Sequence, residues 1–199
     1  MIEVEKKFIL SHLDKERLVD GAEFVSRRVF TDIYYDTNSF SLTLNDRWLR
    51  SREGRFELKI PLHQGAKRLA DQYDELEDEQ MIRNALNLAL AGSMASDLEK
   101  AGYSLFCVCR TTREKYKRGP FTIDLDVVDF QDFSYNIGEI ELMVNHKLEV
   151  EEAIEKIMTF AKEQNLTIAP VRGKVIEYLK LKKPNHYQAL VLAGVIKDF

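Results

Sequence analysis

Carboxylates stand two residues apart, with apolar residues between them, at Glu3 and Glu5, at Asp124 and Asp126, and at Glu139 and Glu141. In an extended chain, alternate side chains point to the same face, so each pair projects together. Hard divalent cations such as magnesium take oxygen ligands and keep waters that they share with substrate phosphates. Paired carboxylates on strands therefore suit metal binding. Lys7 follows Glu3 and Glu5 on their face, which adds an ammonium beside two acids. A second set is basic. Arg50 and Arg52 share a face with Trp48, and Lys59 returns across the turn at Gly54. Arginine's planar fork makes bidentate phosphate contacts, and lysine acts as a compact point charge. Metal-assisted work on a phosphate compound is the chemistry these types could perform. A single charged strand face, by contrast, is ordinarily solvated surface.

The segments holding these residues read as strands. Met1 to Leu10 alternates, with Ile2, Val4, Phe8 and Leu10 opposite Glu3, Glu5 and Lys7, and Lys6 as the exception. Glu23 to Asp36 is rich in β-branched and aromatic residues. There Asp32, Tyr34 and Asp36 share one face, and Tyr34 reads either as a site residue or as a buried tyrosine with a satisfied hydroxyl. Arg47–Glu53 and Arg55–Pro61 form a hairpin, 72–78 an acidic strand, Tyr103–Lys117 a long strand, and Phe121–Val128 and Ile137–Val144 two alternating strands. Glu75, on the acidic strand, could meet a site cation or face solvent. Helical spacing predicts helices over Ser11–Val19, Glu79–Leu90, Ser96–Lys100 and Glu149–Gln164, and a C-terminal helix ending near Phe199. His63–Ala70 reads as a polar loop. Trp48, the only tryptophan, is either a core or rim aromatic or a stacking platform for a cationic ring.

Several of these segments resemble a known family. Glu3-Val4-Glu5-Lys6-Lys7 is similar to the opening E-x-E-x-K of CYTH domains, members of the triphosphate tunnel metalloenzymes. Asp32-Ile33-Tyr34-Tyr35-Asp36-Thr37, Trp48-Leu49-Arg50-Ser51-Arg52-Glu53 with Glu57-Leu58-Lys59, the two later carboxylate pairs, Arg113 to Tyr116 and Gly173-Lys174 to Tyr178-Leu179 extend the resemblance over nearly the whole chain. Within the family the pattern is most similar to animal-type thiamine triphosphatases. The resemblance implies an α+β fold: a closed antiparallel eight-stranded barrel with helices outside and the polar faces turned in, here over one domain of residues 1–199. It implies that Lys7, Arg50, Arg52, Lys59, Arg113 and Lys174 hold a triphosphate. Glu3, Glu5, Asp124, Asp126, Glu139 and Glu141 would bind Mg2+, or Mn2+, directly or through water. Trp48 would meet the thiazolium ring, and Lys59 and Tyr34 would assist proton transfer. The expected activity is hydrolysis of thiamine triphosphate to thiamine diphosphate and phosphate. Inorganic triphosphate or another organic triphosphate on the same fold is the alternative, and a non-catalytic polyphosphate binder is a third reading. The substrate would be the small-molecule partner of a monomer.

Composition narrows the alternatives. A chain of 199 residues with 45% hydrophobic residues can build a sizeable core. A net charge of −4 provides no overall basic footprint for nucleic acid. No apolar run approaches the roughly 18 residues of a membrane span. Glu3 and Glu5 stand where a secretory signal would be apolar, so a cytoplasmic location is expected. Cys107 and Cys109 at i, i+2 read as reduced thiols, not as a zinc pair. The four histidines form no ligand-like cluster in the sequence.

Overall fold

The computed structural model describes residues 2–62 and 69–198. Its centre is a closed barrel of eight antiparallel strands. These are β1 (Ile2–Phe8), β2 (Glu23–Thr37), β3 (Trp48–Arg52), β4 (Arg55–Pro61), β5 (Asp71–Leu76), β6 (Tyr103–Arg118), β7 (Phe121–Asp129) and β8 (Ser134–Val144). Around the ring the order is β1-β5-β4-β3-β2-β6-β7-β8, and β8 closes onto β1. The expected polar loop over 63–70 lies largely outside the described residues, since only Leu69 and Ala70 of it are described.

The charged faces point inward because helices claim the outer apolar faces. Six α-helices are described: α1 (His12–Val19), α2 (Glu79–Leu86), α3 (Met94–Lys100), α4 (Val150–Glu163), α5 (Lys174–Lys182) and α6 (Pro184–Leu192). Ala153, Ile157, Phe160 and Ala161 of α4 cover Val4, Phe8, Ile123 and Ile140. Ile82 and Leu86 of α2 and Leu98 of α3 cover Leu49, Phe56 and Leu58. Burying aliphatic side chains of this size is worth about 1.5–3 kcal/mol each. That term dictates which face of each strand looks outward.

The third cluster differs. Val175 and Leu179 of α5, with Tyr187 and Leu190 of α6, pack on Tyr34, Cys107 and Cys109, which face the barrel interior. The C-terminal helices thus pack on inward-facing side chains of the barrel. Helix α5 was not among the helices that the sequence indicated; Gly173 is its extended N-cap at φ −63°, ψ 158°. Two other helices are shorter than their periodicity suggests. Asn87 takes a left-handed conformation and stops α2 at Leu86, leaving Leu90 74% exposed. Helix α6 ends at Leu192 and not near Phe199, and Gly194 follows it with φ 71°. No helix among the described residues is long and apolar enough to cross a membrane.

Candidate functional site

Register brings the charged residues into rows across neighbouring strands. Lys7 on β1 pairs with Glu139 on β8, Glu139 with Asp124 on β7, and Asp124 with Lys115 on β6. Glu5 stands beside Glu141. Across the ring, Trp48 on β3 pairs with Lys59 on β4, and Lys59 with Glu75 on β5. Arg50 is flanked by Tyr34 and Glu57. Several of these side chains line a cavity of about 460 Å3. Glu3, Glu5, Lys7, Tyr34, Trp48, Arg50, Lys59, Arg113, Glu139, Glu141 and Lys174 all line it. Arg52, Asp124 and Asp126 do not; Asp124 and Asp126 contact Arg113, which lines it, and Arg52 contacts Asp32.

The signs are interleaved, where the strand pattern suggested an acidic side and a basic side. Arg113 donates to both oxygens of Asp126 at 2.7 and 2.6 Å, to Glu139 at 3.0 Å, and to Asp124. Lys59 contacts Glu3, and lies 2.9 Å from Glu75 and 3.8 Å from Glu5. Lys7 contacts Glu5 and reaches Asp71 at 2.6 Å. Arg50 holds Glu57 at 2.7 Å. Asp32 accepts from Arg52 at 2.7 Å and from Lys174 at 2.6 Å, and Lys174 also reaches the Thr111 hydroxyl at 3.2 Å. An ion taken from water must recover its hydration from neighbours, which is why each buried cation here has a carboxylate partner.

Asp32, Glu57, Asp71, Glu75 and Lys115 were not assigned to the site from sequence, although strand alternation pointed at two of them. Asp32 shares the face of Tyr34, and Lys115 shares the face of Arg113. Lys115 lies 2.7 Å from Asp124 and 3.7 Å from Glu141. Glu75, left open between a site cation and solvent, meets Lys59.

Among the described residues, two groups of carboxylates can hold a cation. Oxygens of Glu3, Glu5 and Glu141 lie within 4.8 Å of one another, as do those of Asp124, Glu139 and Glu141. Glu141 belongs to both groups. Asp126 belongs to neither among the described residues; Arg113 takes both its oxygens. An all-oxygen, all-carboxylate donor set fits a hard divalent cation.

Electrostatics agree with that fit. Burial raises the Glu3 carboxyl to about 7; Lys59 opposes the shift, while Glu5 and Glu75 add to it. Burial, then Asp124 and Glu3, push Glu141 well above the usual carboxylate range. The acids crowd one another and resist ionisation until a cation joins them. For Lys59, burial works against the charge, but Glu5, Glu3 and Glu75 outweigh it and hold the ammonium well above its ordinary value. Burial raises the Tyr34 phenol. Both groups therefore carry their protons near neutral pH.

A pH-dependent stability follows. A carboxyl raised in the folded state binds more protons there than in the unfolded chain, so its contribution is full at low pH and is lost as pH rises through the folded value. For Glu3 the loss runs from its unfolded value up to about 7, and Glu141 acts in the same direction. Asp32 acts oppositely and in a lower window: despite burial, Lys174 and Arg50 depress its carboxyl, so its contribution is lost as pH falls. Magnesium requires ionised ligands, so it should raise the melting temperature more at about pH 8 than at about pH 5. Thermal melts with chelator and with magnesium check this; an equal magnesium shift at both values would contradict it.

Comparison with known proteins places this geometry. The CYTH domain model matches residues 1–167. Two relatives named thiamine-triphosphatase, from Macaca fascicularis and Homo sapiens, are 32% and 33% identical over 209 aligned positions. Each alignment covers 96% of this chain and 90% of the relative. Among solved structures, a Pyrococcus horikoshii OT3 protein superposes with a TM-score of 0.65 at 24% identity, covering 90% of this chain and 99% of that one. A Hippeastrum protein described as an adenylyl cyclase candidate with dominant triphosphatase activity superposes with a TM-score of 0.56 at 17% identity, covering 88% and 93%. These structures share the barrel fold.

Proposed function

This chain belongs to the CYTH domain family, and from that premise we propose that residues 1–199 act as one tunnel domain hydrolysing thiamine triphosphate to thiamine diphosphate and phosphate. The carrying observation is a cavity that combines a ring of buried cations, carboxylate groups fit for a metal, and one accessible indole. The relatives that match over nearly the full chain carry the same activity in their name.

The triphosphate enters as a polyanion. Lys7, Arg50, Lys59, Arg113 and Lys174 line its path, and Arg52 supports them through Asp32. Their charges are fixed before substrate arrives, so little reorganisation is needed when charge develops on the transferring phosphoryl group. Water attacks the terminal phosphorus, and the bond to the bridging oxygen breaks. Lys59 and Tyr34 hold protons and are suited to donate hydrogen bonds to the departing diphosphate oxygen; neither is poised as a base. A divalent ion held by Glu3, Glu5 and Glu141, or by Asp124, Glu139 and Glu141, would supply phosphate neutralisation and a more acidic water. Magnesium fits those oxygen donors, and manganese shares the preference.

Selection for thiamine falls to Trp48. Its ring lines the cavity, and Ile168, Pro170 and Ile196 line the same cavity. A cationic thiazolium over an indole gains an attraction that bare triphosphate cannot. Trp48→Ala should therefore lower kcat/KM for thiamine triphosphate roughly tenfold, with inorganic triphosphate within about twofold. Parallel steady-state kinetics on both substrates decide it. Equal losses would favour the inorganic-triphosphate reading, which the cations alone would serve.

A further inference from the structure

The indole of Trp48 is fixed by a residue outside both carboxylate groups. Its N–H donates to Asp46 Oδ1 at 2.8 Å. The same oxygen accepts the Tyr73 hydroxyl at 3.0 Å. Asp46 is held by its own backbone: it adopts φ 54°, ψ 27° after a 3-10 turn over Thr43–Asn45, and its N–H closes that turn on the Thr43 carbonyl. Thr43 is itself anchored, donating to Asp36 at 2.7 Å and sitting 2.7 Å from His186 Nε2 on α6. The Asp46 residue is 8% exposed and lines the cavity beside Trp48. It also spans strands. Trp48 is on β3 and Tyr73 on β5, with Lys59 on β4 between them, its ammonium 5.4 Å from the centre of the Tyr73 ring.

We propose that Asp46 is a positioning residue that makes the cavity select triphosphates capped by a cationic heteroaromatic ring. Two physical effects converge on it. The hydrogen bond sets the plane in which the indole presents its face, and stacking depends on that plane. The carboxylate stands at the edge of the ring against which the cation would lie, and a cation leaving water needs a nearby counter-charge. A bare triphosphate gains from neither effect, and a carboxylate near its path opposes its charge. Asp46 thus works both for the capped substrate and against the uncapped one. The inference rests on reading the cavity as a thiamine triphosphate site.

The test uses the full-length protein, Asp46→Ala, Asp46→Asn, and both thiamine triphosphate and inorganic triphosphate with magnesium. Asp46→Ala should lower kcat/KM for thiamine triphosphate roughly tenfold, chiefly through KM, and leave inorganic triphosphate within about twofold. Because Trp48 is the only tryptophan, intrinsic emission reports the ring directly; it should shift to the red as the indole is released. Asp46→Asn keeps an acceptor oxygen and tolerates the left-handed backbone. It should retain the wild-type emission yet raise KM for thiamine triphosphate by roughly threefold, with no rise for inorganic triphosphate. Should Asp46→Ala not fold, this second variant decides alone. Equal losses on both substrates, or unchanged KM for thiamine triphosphate, overturn the role of Asp46. Wild-type protein inactive on thiamine triphosphate would instead remove the functional reading beneath it.

Discussion

Glu141→Gln should reduce metal-dependent turnover on the order of 10²-fold or more while leaving the barrel folded. Glu141 is the carboxylate shared by both candidate metal groups among the described residues. Glutamine keeps the shape and removes the charge, so both groups lose a ligand together. The folded protein should tolerate this unusually well. Burial and the neighbouring Asp124 and Glu3 already favour the uncharged form of Glu141, and glutamine imitates that form. The melting temperature without metal should stay level or rise, while the stabilisation conferred by magnesium should shrink. Phosphate release across a magnesium titration, paired with melts, separates the two effects. Turnover near wild type at saturating magnesium would remove Glu141 from the metal site.

Arg113→Ala should be costly to folding as well as to activity. The guanidinium compensates Asp126, Asp124 and Glu139 simultaneously, and its removal leaves buried carboxylates facing one another. Breaking a buried ion pair on one side costs about 3–5 kcal/mol. Asp124 retains Lys115 at 2.7 Å, which places the expected loss at the lower end of that range. Arg113→Lys should recover part of the stability but little of the turnover, because an ammonium restores charge without the fork that spans several oxygens. Divalent cation should stabilise Arg113→Ala more than wild type, since the carboxylates that lose the guanidinium then seek another positive partner. Denaturant midpoints with and without magnesium measure this. A loss for Arg113→Ala below about 0.5 kcal/mol would show that the neighbouring carboxylates are relieved in another way.

Much of this arrangement was legible because strand chemistry has period two. The alternation of Glu3, Glu5 and Lys7 with Ile2, Val4 and Phe8 is local, as is that of Glu139 and Glu141 with Ile140 and Leu142. Such patterns fix which residues point together, but not which strands become neighbours. That β1 pairs with both β5 and β8 is a long-range fact, and it decides that Lys7 meets Asp71 while Glu5 stands beside Glu141. Asp32 was hard to weigh for the same reason: its partner Lys174 is 142 residues away in the chain. Closure direction was equally open, since a sandwich and an inward-polar barrel share the alternation; the resemblance of the motifs selected the barrel, and the strand order bears it out. The irregular C-terminal segments that line the cavity had no periodic signal. Ile168, Pro170 and Ile196 lie in irregular stretches, yet they help to line the cavity.

The most direct measurement is phosphate release by the purified protein, with and without magnesium, from thiamine triphosphate, inorganic triphosphate and ATP at matched concentration. The account predicts magnesium-dependent release with a strong preference for thiamine triphosphate. Preference for inorganic triphosphate, or binding of all three without release, would contradict it.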